Sequence, residues 1–118
     1  MATSVQNYNI VSIKKNTKKS PVQFILKDGD NDPISLSGAA ISIAFRLGSY
    51  DGVLAATWTT ANSKVTITDA ANGTFQTAEQ TVNWTAGVYY YDVKITFADG
   101  DIKTWIEGTF EILESANT

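Results

Sequence analysis

The sequence contains no histidine and no cysteine, and these two absences remove most of the chemistry a small domain can perform. Without histidine there is no Ser-His-Asp or Cys-His nucleophilic system and no imidazole proton transfer. Without either residue, the usual ligand sets for zinc and copper are missing. Disulfides and thiolates are excluded outright. The lack of cysteine fits a protein made inside a cell, or a particle assembled there, better than a disulfide-stapled secreted domain. Long apolar runs are missing as well: none approaches the roughly 20 residues of a membrane helix. No apolar core of about 7–15 residues follows Met1, so the start does not read as a signal peptide. A sustained helical period of 3.6 is absent too.

What remains is 118 residues, 43% hydrophobic and 18% charged, a composition that fits one globular domain spanning 1–118. Net charge is −3 but unevenly placed: residues 1–20 hold four lysines and no acid, while the rest of the chain carries −7. A mostly acidic body argues against nucleic acid, whose phosphates need a broad basic face.

Strand patterns separated by turn signals fill the chain. Asn7–Ile13, Pro21–Lys27, Ala40–Leu47, Val53–Thr60, Lys64–Asp69, Thr74–Thr77, Val88–Phe97 and Ile102–Leu113 each read as a strand. The period of two is clearest in Ala40–Leu47, with Ile41, Ile43, Phe45 and Leu47 on one face. Val88–Phe97 likewise sets Tyr89, Tyr91, Val93, Ile95 and Phe97 against Tyr90, Asp92, Lys94 and Thr96. In the last strand Ile102, Ile106, Phe110 and Ile112 are expected inside, with Lys103, Trp105, Glu107, Thr109 and Glu111 outside. Lys14–Lys19 is expected as a loop, Asn72-Gly73 as a two-residue hairpin turn, and Ala78–Thr85 as a candidate turn of helix. Residues 1–6 and 114–118 are expected to be flexible. About eight strands, each with one apolar face, predict an all-β protein of two antiparallel sheets packed face to face; a closed small barrel is the alternative.

Candidate sites are few. Asp28, Asp30 and Asp32 match the opening of a calcium loop, but Pro33 stands where that loop needs glycine and Ala39 where it needs glutamate. They read as a solvated turn, so no metal is predicted, and no cofactor. Paired carboxylates for glycoside cleavage find no support, because most aspartates sit in turns where backbone geometry accounts for them. The chain reads as a non-enzyme. Tyr90, Trp105 and Trp58 are expected on outer faces; Tyr90 and Trp105 share polar parity on adjacent strands and are expected as cross-strand neighbours, an aromatic strip for a protein or a sugar ring. Lys14, Lys15, Lys18 and Lys19 form a basic segment that either touches an acidic surface, including a second copy, or solubilises a sheet edge.

Three segments in order carry a family resemblance: Asp28-Gly29 with Pro33-Ile34-Ser35-Leu36-Ser37-Gly38-Ala39; Gly87-Val88-Tyr89-Tyr90-Tyr91-Asp92-Val93-Lys94-Ile95; and Ala98-Asp99-Gly100 leading to Gly108-Thr109-Phe110-Glu111-Ile112. The chain resembles the immunoglobulin-like domains of tailed-phage structural proteins, such as the N-terminal domain of the siphophage baseplate upper protein, over about residues 18–112. The resemblance implies an immunoglobulin-like sandwich and a non-enzymatic place in the virion, in the tail, baseplate or neck. It implies other virion proteins and further copies of the chain, as a homo-oligomer, for partners. In such a domain Leu36 plugs the sandwich end, Gly38 bends the chain into the next strand, and Tyr89 sits at a tyrosine corner. Tyr91 takes the place where antibody-type domains put a cysteine. The alternative expectation is a carbohydrate-binding module for host-surface glycans, resting on the Tyr90/Trp105 strip.

Overall fold

The computed structural model describes residues 6–28, 30 and 32–115. Parts of both expected flexible ends, residues 1–5 and 116–118, lie outside the described residues. Eleven strand segments follow in chain order: β1 Gln6–Asn7, β2 Ile10–Lys14, β3 Thr17–Lys19, β4 Gln23–Ile25, β5 Ala40–Leu47, β6 Val53–Thr59, β7 Val65–Asp69, β8 Thr74–Thr77, β9 Gln80–Val82, β10 Gly87–Thr96 and β11 Ile102–Leu113. The larger sheet runs β1-β11-β10-β5-β6, with β2 also on β11. Opposite it, β4-β8-β7 forms a three-stranded sheet and β3-β9 a two-stranded one. The β3–β9 pairs (Thr17 with Val82 to Lys19 with Gln80) and the β4–β8 pairs (Gln23 with Gln76 to Ile25 with Thr74) keep one register. They are therefore two stretches of one ladder. Val22 and Thr77 bridge the gap: Thr77 N–H donates to the Val22 carbonyl at 3.0 Å, and Val22 N–H to Thr77 Oγ1 at 2.9 Å. Counted this way, and with β1 and β2 joined because both follow β11 in one register (Gln6 with Ile106, Ile10 with Phe110), the segments reduce to the eight strands expected.

The fold is an immunoglobulin-like β-sandwich. Two features carry this beyond strand order. The Tyr89 hydroxyl donates to the Thr85 carbonyl at 2.6 Å, closing a tyrosine corner at the entry to β10. Tyr91, two residues on, is fully buried between the sheets, its ring 5.6 Å from Phe45 on β5. Phe45 gathers the core, with Trp58 at 4.5 Å, Trp84 at 5.1 Å and Phe110 at 6.0 Å. Alternation explains the layer: Ile41, Ile43 and Phe45 face inward from β5, and Tyr89, Tyr91, Val93 and Ile95 from β10, whereas Leu47, expected inside with them, is exposed at the end of β5 beyond the core. Each such side chain, fully buried, contributes about 1.5–3 kcal/mol. Leu36 is buried at the sandwich end, and Gly38 takes a left-handed turn at φ 73° before β5.

Four local expectations need correction. Thr17–Lys19 is strand β3, not loop; the reversal is confined to Lys15-Asn16, where Asn16 accepts φ 65°. Asn72-Gly73 is not a two-residue hairpin turn. A 3₁₀ turn at Ala70–Asn72 makes the reversal and only Gly73 has positive φ, 68°. Ala78–Thr85 holds β9 in place of a helical turn, because the β4–β8 ladder continues through it. The pairing is also not antiparallel throughout, since β1 and β2 lie parallel to β11.

Candidate functional site

The outer face of the larger sheet carries the polar parity of its strands: Ser42, Ala44 and Arg46 from β5, Tyr90, Asp92 and Lys94 from β10, Glu107 and Thr109 from β11. Pairing puts Tyr90 between Arg46 and Thr109, and Asp92 between Ala44 and Glu107. The β5–β6 connection then folds back over this face. Arg46 Nη1 donates to the Gly52 carbonyl at 3.0 Å and holds the connection down. That lays Tyr50 against Tyr90, edge to face, with centroids 5.1 Å apart and planes at 67°. Ala44, Arg46, Tyr50, Tyr90 and Asp92 line a depression of about 50 Å³. Such a space admits a few waters and falls far below the few hundred Å³ of a small-molecule pocket.

Electrostatics fix the state of Tyr50. Its phenol is pushed up to about 12, first by partial burial, then by its hydrogen bond to Glu107 and the negative charges of Glu107 and Asp92. A phenol acting as base or nucleophile at neutral pH would need the opposite shift, toward phenolate. Tyr50 instead stays a neutral donor, 44% exposed, beside a guanidinium and two carboxylates. The cluster thus sets an aromatic pair, a guanidinium and two carboxylates side by side on one face.

Of the residues singled out in the sequence, Tyr90 belongs to this face and Trp105 does not. Trp105 is only 4% exposed. The reason is a β-bulge: Val93 pairs with Ile106 but Lys94 with Thr104, so Trp105 is the extra residue and parity reverses before it. The same reversal turns Ile102 outward, 59% exposed, against the expectation that it is inside. Trp105 packs edge-on against Phe97 at 6.2 Å, and among the described residues its indole Nε1 has no hydrogen-bond partner. The Tyr90/Trp105 strip therefore does not form, and Trp58, also expected on an outer face, is buried against Phe45 because it pairs with the inward-facing Ile43.

The lysines are divided between two strands. Lys14 ends β2 and Lys18 and Lys19 lie on β3, with Lys15 in the turn between. Lys18 reaches Glu79 at 3.8 Å, an exposed pair that adds little stability. Burial pushes the Lys19 ammonium down. The carboxylates of Asp28, Asp30 and Asp32 approach within 4.8 Å of one another, and Asp28 Oδ1 accepts from the backbone N–H of both Asp30 and Asp32. That carboxylate shapes the turn. Sequence reasoning missed Tyr50, Arg46, Asp92 and Glu107 as one cluster. The available signal was Tyr50 itself, an aromatic residue between two turn glycines with no strand to bury it.

Comparison with family models, with curated proteins and with solved structures found no match.

Proposed function

We propose that this domain is a non-enzymatic structural component of a tailed-phage virion, in the tail, baseplate or neck, and that it acts through protein–protein contacts. Its partners are other virion proteins and further copies of the chain. The virion assignment rests on the three sequence segments described above. The contact role rests on one observation: Tyr50 and Tyr90 form an accessible aromatic pair framed by Arg46, Asp92 and Glu107 on an otherwise polar face. Tyrosine and arginine are the residue types that dominate protein-interface energetics. The glycan reading loses its support, because Trp105 is buried and the two tyrosine rings share no common plane on which a sugar ring could stack.

The test is a Tyr50→Ala/Tyr90→Ala variant introduced into the phage and measured as copies of the chain per purified particle. We expect the isolated domain to keep its cooperative unfolding while incorporation falls at least tenfold. Unchanged incorporation overturns the contact role of this face.

A further inference from the structure

The self-contact in that reading can be given a location. β6 is an edge strand: it pairs with β5 and, among the described residues, with no other strand. Natural edges are blunted by charge, proline or a bulge. β6 reads Val-Leu-Ala-Ala-Thr-Trp-Thr, with no charge and no proline. It does carry a bulge, because Phe45 pairs with Ala56 but Arg46 with Leu54. Its C-terminal half is covered as well. The Asn62 side chain donates to the Thr57 carbonyl and accepts from Thr59 N–H, both at 3.0 Å, and so satisfies two groups that a neighbouring strand would otherwise pair. Among the described residues the N-terminal half has no such side-chain cover, its one blunting feature being the bulge at Ala55. There Val53 is 77% and Leu54 47% exposed, with Ala55 exposed beside them.

We infer that the Val53–Ala56 half of β6 pairs antiparallel with the same segment of a second copy, an isologous contact across a two-fold axis; this deepens the proposed function above. Charge selects the occupant. Asp51 precedes the strand, and Lys64 folds back onto its far end, its N–H donating to the Thr59 carbonyl at 3.1 Å. Antiparallel pairing carries the Asp51 end of each copy toward the Lys64 end of the other, twice per dimer, whereas parallel pairing would set like charges together. The uncharged strand between them places no like charges opposite one another. An isologous contact closes at two copies, and such dimers are the commonest symmetric assembly.

Light scattering after size exclusion, over a wide concentration range, tests this. The wild-type chain is expected to form a dimer, or an even-numbered assembly built from it. Val53→Lys/Leu54→Lys changes only exposed side chains and is expected to give a folded monomer. Asp51→Lys should weaken the dimer several-fold, and Asp51→Lys/Lys64→Asp should restore it. A wild-type monomer at all concentrations overturns the inference. So does an assembly unchanged by Val53→Lys/Leu54→Lys, which leaves the virion role standing and moves self-contact elsewhere. Dissociation by Tyr50→Ala/Tyr90→Ala but not by the edge variant assigns the contact to the outer face and also overturns it.

Discussion

Replacing Gly108 with alanine should detach the N-terminal strands from the rest of the sandwich. Gly108 lies on β11 opposite Tyr91, where the chain between β1 and β2 crosses it closely. A β-carbon there would sit 2.0 Å from the Tyr8 carbonyl oxygen and 2.7 Å from its carbon, contacts that only a backbone shift can relieve. Three hydrogen bonds depend on the present crossing. Tyr8 N–H donates to the Glu107 carbonyl at 2.9 Å, Thr109 N–H to Asn9 Oδ1 at 3.1 Å, and the Tyr91 hydroxyl to the Tyr8 carbonyl. At about 1 kcal/mol each their loss costs roughly 3 kcal/mol. Restricting the unfolded chain returns about 0.4–1 kcal/mol, leaving a net loss of about 2–3 kcal/mol. With an unfolding entropy of roughly 2.1 cal/mol/K per residue, the 118-residue domain should melt about 8–12 °C lower. Calorimetry gives the shift, and hydrogen exchange at the Tyr8 and Thr109 amides shows whether the crossing has opened. Gly100→Ala is the control. Gly100 has φ 91° but open space around it, so its cost is conformational and should leave both amides protected. A Gly108→Ala Tm within about 2 °C of wild type, or unchanged exchange at both amides, refutes the reasoning.

Two further outcomes follow from the tyrosines. Tyr89→Phe removes the corner hydrogen bond, and because Thr85 is exposed its carbonyl can turn to water, so the loss should be about 1 kcal/mol by denaturant titration. A loss above about 3 kcal/mol would mean the corner does more than this bond. Burial pushes the phenols of Tyr89 and Tyr91 up, and Tyr50 to about 12, so the folded chain holds these protons more tightly than the unfolded one. Their contribution is complete below the ordinary tyrosine value of about 10 and is lost as pH rises through the folded values. The denaturant midpoint should therefore fall from pH 10 upward, with phenolate absorbance rising late; a level midpoint to pH 12 contradicts this.

The sequence exposed its fold wherever one face of a strand meets the core without interruption. β5 and β10 alternate cleanly, and their burial follows the pattern except at Leu47, exposed where β5 ends; the tyrosine corner came with the family resemblance, at Tyr89 just after Gly87. Parity failed at Trp105, because a bulge adds one residue to one strand and its position depends on the partner strand. β3 was hidden for a related reason: Thr-Lys-Lys has no apolar alternation, and only its continuing register with β9 makes it a strand. The contact face was half visible. Tyr90 showed its outward parity, but Tyr50 reaches that face through a turn whose return path the local pattern does not encode.

The most direct test of the central claim is immunogold electron microscopy of purified phage particles with an antibody raised against this domain. Gold is expected at the tail, baseplate or neck, in a fixed position on every particle. Particles that carry no label, and whose protein content lacks the chain by mass spectrometry, would contradict it.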